Sequence, residues 1–325
     1  MKSLSLTLDG GVGVDLFFVI SGFIMTHVTR DGAMTAPVFM AHRGARIVPI
    51  YWIMTLLVFV SAALAPSLFR YTDAEPSLLV KSLLFIPYVK ASGLMEPVLF
   101  VGWTLNYEMV FYGLFAIGLL VPARAAGLLG VIGVLLILAA AGTLAPAQPA
   151  PLAFYTDPII LEFGLGILVG LVTERLPAAS GLPVRGLVLG LLAAGFAALL
   201  ALAVPTPGVP RVASGGLPAS IVVASAVQLE KSGWSLRWRL PLLLGDASYA
   251  IYLSHPYVTQ AIVKLYERLP AGKPAALVLL LAALGCVCLV GILLHRFVER
   301  PASRWARRRV DRMLRREGAA AKSLA

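Results

Sequence analysis

The sequence predicts an all-α, polytopic integral membrane protein, and three observations predict it. Of the 325 residues, 59% are hydrophobic and 13% are charged, roughly half the charged share of an ordinary soluble domain. The mean hydropathy is +0.88. Apolar runs of about 20 residues, enough to cross a bilayer as helix, recur from one end to the other with short polar joints between them.

Bounding those runs by Pro, Gly or charge gives about nine transmembrane helices in one bundle, at 13–29, 46–66, 97–121, 125–145, 155–174, 183–204, 209–229, 241–264 and 275–297. The stretch 77–92, "SLLVKSLLFIPYVKAS", is short and carries Lys81 and Lys90, so it is expected to lie in the interface or re-enter the membrane. Residues 1–300 then form the membrane domain and 301–325 a basic cytoplasmic tail.

Charge placement tests this count, because Lys and Arg collect in cytoplasmic loops. With 30–46 inside, that side holds 19 of the 27 Lys and Arg, ten of them between Arg296 and Lys322. The bias puts the C-terminus inside and the N-terminus outside, with no signal peptide ahead of the first span. The net charge of +11 therefore faces anionic lipid rather than nucleic acid. Cys286 and Cys288 sit in "LAALGCVCLVGILL", where they read as small packing residues and not as a disulfide or metal framework. No metal site is expected.

An ionisable group at membrane depth costs a few kcal/mol and faces a cavity or a partner, so each is a functional candidate: Asp15, Glu108, Glu162, Asp246 and His255. In "WTLNYEMVFYGL" (103–114), Glu108 and Tyr112 are four apart, as are Trp103 and Tyr107, giving two neighbouring rows on a helix. An interfacial belt explains Trp103 and Tyr107; Glu108 sits deeper and needs a buried partner or water. In "FMAHRGARIVPIYW" (39–52), Arg43 and Arg46 share a face where the second span opens. Such a pair suits a phosphate-bearing ligand from the cytosol, or equally anchors the helix to headgroups.

In "LGDASYAIYLSHPYVTQ" (244–260), Ser248, Tyr252, His255 and Thr259 form a polar stripe, and Pro256 frees a backbone carbonyl one turn earlier. His255 is either a proton carrier or a histidine satisfied by neighbouring helices. The glycines of "GGVGVDLFFVISGF" lack the strand and GK[ST] of a nucleotide loop; Gly13 and Gly22 read as close-approach positions between helices. Asp15 near the outer end of its span has the plain reading of an interfacial charge.

Taken in order, "GVDLFFVISGFIM", "FMAHRGARIVPIYW", "WTLNYEMVFYGL", "LGDASYAIYLSHPYV" and "RFVERP" resemble the acyltransferase-3 family of membrane acyltransferases, most like its exopolysaccharide-production branch. The resemblance implies a ten-helix enzyme of the bacterial inner membrane. It passes an acyl group, typically acetyl from acetyl-CoA, to a sugar hydroxyl of a polysaccharide or lipid-linked glycan, with no permanently bound cofactor. On that likeness the catalytic candidates are Glu108, His255 and Asp15. Arg43, Arg46, Trp103, Asn106, Tyr107 and Tyr252 are the candidates for substrate binding, the arginines for acyl-CoA.

Family members carry a further helix ahead of the G-V-D motif, with an Arg and a His that is the candidate base. The resemblance and the charge count thus lead to two expectations: that a tenth helix precedes Met1 in the longer reading frame, and that without it the chain transfers little or no acyl group. Two other functions fit the embedded carboxylates: a proton-coupled polysaccharide or lipid carrier, although no internal repeat relates the halves, and a non-catalytic assembly partner of a polysaccharide synthase.

Overall fold

The computed structural model describes residues 11–66, 72, 74–90, 93–145, 149–202, 209–235, 237–268 and 276–324, with side chains through residue 313. Lys2, Arg70 and Lys273, counted above as outer charges, lie outside the described residues. The helices are α1 (Gly11–Val28), α2 (Ala36–Leu64), α3 (Pro76–Leu83), α4 (Trp103–Gly118), α5 (Arg124–Leu144), α6 (Ala150–Tyr155), α7 (Leu161–Arg175), α8 (Leu182–Ala201), α9 (Leu217–Lys231), α10 (Arg239–Asp246), α11 (Ser248–Glu267), α12 (Ala276–Leu294) and α13 (Arg300–Leu324). There is no strand among the described residues.

Seven described stretches are long and apolar enough to cross a bilayer, namely Gly11–Val28, Ala36–Leu64, Arg124–Leu144, Ala150–Arg175, Leu182–Ala201, Val212–Lys231 and Leu277–Met313. This is a polytopic all-α membrane protein. The other two expected spans are helical as well, in a different form. At 97–121 a short 3-10 turn (Phe100–Gly102) precedes α4, which is only 16 residues long. At 241–264 the helix breaks at Ala247, where α10 ends and α11 begins.

Three boundaries differ from the apolar-run reading for identifiable reasons. The helix α2 starts at Ala36, ten residues before the expected span, because Thr35 and Pro37 form a start signal; the Thr35 carbonyl accepts from Phe39 N at 2.9 Å. Expected span 155–174 is broken after Tyr155, where Asp157 accepts from Ile159 N at 2.9 Å ahead of Pro158. The α12 helix passes through a π turn (His295–Glu299) directly into α13, so the basic tail continues the last membrane helix.

The chain forms two compact units, Met1–Phe39 with Thr104–Ser235, and Met40–Trp103 with Leu236–Ala325. In the first, α1 and α7 cross with almost no gap. A Cβ on Gly22 would come 2.1 Å from Phe163 O, and one on Gly166 2.1 Å from Val19 O. Reciprocal glycines let two backbones touch where hydrocarbon supplies no hydrophobic drive. Gly22 is thus a close-approach residue as expected, whereas Gly13 faces open space. Aromatic rings fill the rest: Phe163 stacks on Phe18 and on Phe111 with centroids 4.4 Å apart in each case.

In the second unit α11 and α12 repeat the device, since a Cβ on Gly291 would lie 2.2 Å from Ile251. The end of α3 is tied to α2 by side chains. Tyr51 Oη donates to Ser82 O at 3.0 Å and Trp52 Nε1 to Leu83 O at 2.9 Å, satisfying carbonyls that the short helix leaves open. Of the cysteines, Cys286 is exposed and Cys288 half-buried. The packing role expected of Cys286 does not hold, because its face of α12 is turned outward beside Ala282, Leu289 and Leu293.

Candidate functional site

In the first unit Glu108 is 4% exposed. Ser21 Oγ donates to its Oε1 at 3.0 Å, and Tyr112, one helical turn on, donates to the same oxygen. The partner that the sequence requires is therefore a pair of hydroxyls, one from α1 and one from α4 itself. Tyr107 stacks on Phe154 with centroids 4.0 Å apart and is buried, which overturns its interfacial-belt reading: the ring faces protein. Asn106 is 2% exposed, and its Oδ1 has no hydrogen-bond partner among the described residues.

Asp15 is also buried, at 5%, so it is no interfacial charge. Arg211 Nε donates to its Oδ1 at 2.9 Å, while Arg211 NH2 reaches Gly11 O at 3.2 Å. Beside it lies Glu162, fully buried in the first turn of α7. Neither Glu162 oxygen has a hydrogen-bond partner among the described residues. Its electrostatic neighbours are Asp15, Arg211 and Asp157. One guanidinium is thus paired with Asp15 and faces Glu162 as well, leaving the carboxyls unused capacity to accept a proton or hydroxyl hydrogen bonds.

A local backbone feature makes room for this group. Residues Val212–Gly216 form a π turn just after Arg211, a form common at functional positions. A Cβ on Gly215 would meet the Asp15 carboxyl at 2.4 Å, and one on Gly216 would meet Glu162 Cγ at 3.0 Å. Only glycine leaves both carboxyls their space. The cost of a charge at membrane depth marks Glu162 in the sequence, but neither Arg211, at the edge of the expected span 209–229, nor Ser21 stands out there. The available signal was an arginine abutting "VASGG" within an apolar span.

In the second unit, Arg43 is 8% exposed and Arg46 is exposed. Because α2 begins at Ala36, both stand two or more turns inside the helix rather than at its mouth. The free N–H groups of the helix start belong to other residues, so any anion grip here depends on the guanidinium groups alone. Nearby on the same unit, His42 Nε2 lies 3.0 Å from Asp311 Oδ1. Trp103 is half-buried at the start of α4.

The stripe on α11 holds one detail of direct chemical consequence. Pro256 lacks an N–H, which deprives the Tyr252 carbonyl of its helical donor. His255 Nδ1 lies 2.8 Å from that carbonyl. A carbonyl only accepts, so Nδ1 carries the hydrogen, and in the neutral ring Nε2 keeps the lone pair. Tyr252 Oη in turn donates to Val101 O at 2.8 Å, fixing the helix beside the 3-10 turn. Ser248 begins α11, and Thr259 at the stripe's far end donates to His255 O at 2.8 Å.

Comparison with known proteins gives concordant results. A family model described as an acyltransferase domain matches residues 3–312. The chain is 38% identical over 304 residues to the exopolysaccharide production protein ExoZ of Rhizobium meliloti (strain 1021), covering 92% of each. It is 28% identical over 347 residues to the acyltransferase MdmB of Streptomyces mycarofaciens, covering 94% of this chain and 84% of that one. No solved structure matches significantly.

Proposed function

Because the chain belongs to this family of membrane acyltransferases and is an enzyme that transfers acyl groups, we propose that it carries acetyl from acetyl-CoA to a sugar hydroxyl of an exopolysaccharide or its lipid-linked precursor. The observation that carries the acceptor class is the match over 92% of both chains to a protein named for exopolysaccharide production. The bacterial relatives support a plasma-membrane location, and the Lys/Arg bias supports a cytoplasmic α13.

The reaction needs a base for the hydroxyl proton and donors for the oxyanion that forms at the thioester carbon. The sugar oxygen bonds to the acyl carbon, the C–S bond breaks, and the proton leaves with the CoA thiol. Among this chain's own histidines, His255 supports the base role that the resemblance places on a preceding helix, through its Nε2 lone pair, fixed by the bond from Nδ1 to Tyr252 O. Arg43 and Arg46 offer guanidinium groups to CoA phosphates. Buried Glu108, held by Ser21 and Tyr112, fixes α1 to α4 within the first unit, a positioning role.

The test is radiolabelled acetyl-CoA offered to membranes that contain the chain and its glycan. Alkali-labile label on the glycan is expected from a chain of this acyl-transferring family and would overturn the expectation of little transfer drawn from the resemblance, with His255→Gln lowering the rate about 100-fold and the Arg43→Ala/Arg46→Ala pair raising KM for the donor. Label that stays on CoA while glycan crosses the membrane would sink the reading.

A further inference from the structure

The first unit carries a groove of about 780 Å³ between α7, α8 and α9, lined almost wholly by apolar side chains such as Leu168, Val172, Val188 and Ile221. It runs from Leu165 to Leu176 on α7 and from Leu217 to Gln228 on α9, about 16 Å at the helical rise. That is close to one leaflet of a hydrocarbon core about 30 Å thick.

The groove is not alike at its two ends. At one end Lys231 Nζ donates to Thr173 O at 2.8 Å and to Leu176 O, and Arg175 and Arg185 stand on either side of the 176–181 connection. The neighbouring Glu174 is already held by Arg124 at 2.9 Å. This end is cationic and, by the Lys/Arg bias, cytoplasmic. One turn inward, Gln228 lines the groove at 9% exposure, with neither its Nε2 nor its Oε1 hydrogen-bonded among the described residues. Beyond it the lining is hydrocarbon apart from Ser225 and Ser220, the latter with its Oγ turned to Gly216 O at 2.7 Å.

Cation, then amide donor, then hydrocarbon is the order of phosphate, ester carbonyl and acyl chain in a glycerophospholipid. We propose that this groove is a binding site for an anionic phospholipid of the cytoplasmic leaflet, with one acyl chain between α7 and α9, its ester carbonyl on Gln228 Nε2 and its phosphate at Arg175 and Lys231. The leaflet-length groove and the unpartnered amide favour this occupant over a polyprenyl phosphate, which has no ester at that depth. The proposal is independent of the acyl-transfer reading.

Photolabelling tests it with the full chain in vesicles of phosphatidylglycerol and phosphatidylcholine, using phosphatidylglycerol that carries a diazirine in one acyl chain. Adducts are expected to concentrate on 165–176 and 217–228 relative to the outward face of α12 at Leu280 and Leu284. Ile221→Trp fills the groove and should remove that excess. Arg175→Ala, at an exposed position, should lower it about fivefold for phosphatidylglycerol and leave a phosphatidylcholine probe unchanged. Unlabelled phosphatidylglycerol should compete, and polyprenyl phosphate or long-chain acyl-CoA should not. Equal labelling of groove and α12, an excess that survives Ile221→Trp, or competition by either alternative amphiphile would overturn the proposal.

Discussion

Glu108 and Glu162 lie in the same unit and are 4% and 0% exposed, yet only one receives hydroxyl donors among the described residues. Glu108 receives two hydroxyls, from Ser21 and Tyr112. Glu162 receives none among the described residues and has a second carboxylate, Asp15, as its first electrostatic neighbour. Burial alone therefore does not define a carboxylate's role. A satisfied glutamate is a fixed part of the packing, whereas an unsatisfied one costs stability and is kept where a proton or ligand uses it.

Substitutions at three positions break or sharpen that contrast, and one at a fourth tests the histidine of the second unit. The largest effect is expected from Gly166→Leu, because α1 carries Ser21 for one glutamate and Asp15 for the other. With a Cβ at 2.1 Å from Val19 O, the seam between α1 and α7 must open, at a cost of about 3 kcal/mol or more. Loss of monodisperse protein in detergent, or a steep fall in thermal midpoint, is the readout. Next is Glu108→Ala, which strands two hydroxyls in the interior. A loss of about 2–3 kcal/mol is expected, reduced to about 1 kcal/mol in Glu108→Gln, where an acceptor remains. Equal midpoints for the Ala and Gln variants would remove the hydroxyl pair from the explanation.

Glu162→Gln should behave in the opposite sense. It keeps a hydrogen-bonding side chain beside Asp15, so stability is expected to hold or to rise by up to about 1 kcal/mol while acyl transfer falls at least about tenfold. A midpoint that drops alongside activity would make Glu162 structural and end the contrast. The smallest stability effect, about 1 kcal/mol or less, belongs to Pro256→Ala. That change gives the Tyr252 carbonyl its helical donor back and releases the His255 ring. Nitrogen-15 shifts of His255 should then report a mixture of tautomers; an unchanged single tautomer would show that something other than the proline sets it.

Much of this was readable in advance, and the limits have physical causes. Apolar runs located the membrane helices because hydrophobic length is a local property of sequence. The cost of burying charge pointed to Asp15, Glu108 and Glu162 for the same reason. Partners were not legible: Ser21 stands 87 residues from Glu108, and Arg211 stands 196 from Asp15. The early start of α2 was legible in Thr35 and Pro37, but the charges that follow them were weighed as loop. The break before Glu162 was legible too, in Asp157 followed by Pro158. What apolar composition concealed was capping chemistry, which needs only one or two residues and barely changes a hydropathy average.

The distance between Asp15 and Arg211 has a consequence for biogenesis. A ribosome adding roughly 5–20 residues each second makes Arg211 about 10–40 seconds after Asp15. Throughout that interval α1 exists without the cation that its carboxyl pairs with, and until Gly166 emerges, 151 residues after Asp15, also without the glycine against which it locks. An unpaired carboxylate resists residence at membrane depth, so the first helix settles into its final position late. A helix made well before its partners is thus among the last to be seated, and an insertase or chaperone able to hold α1 in the meantime would set the yield of this enzyme.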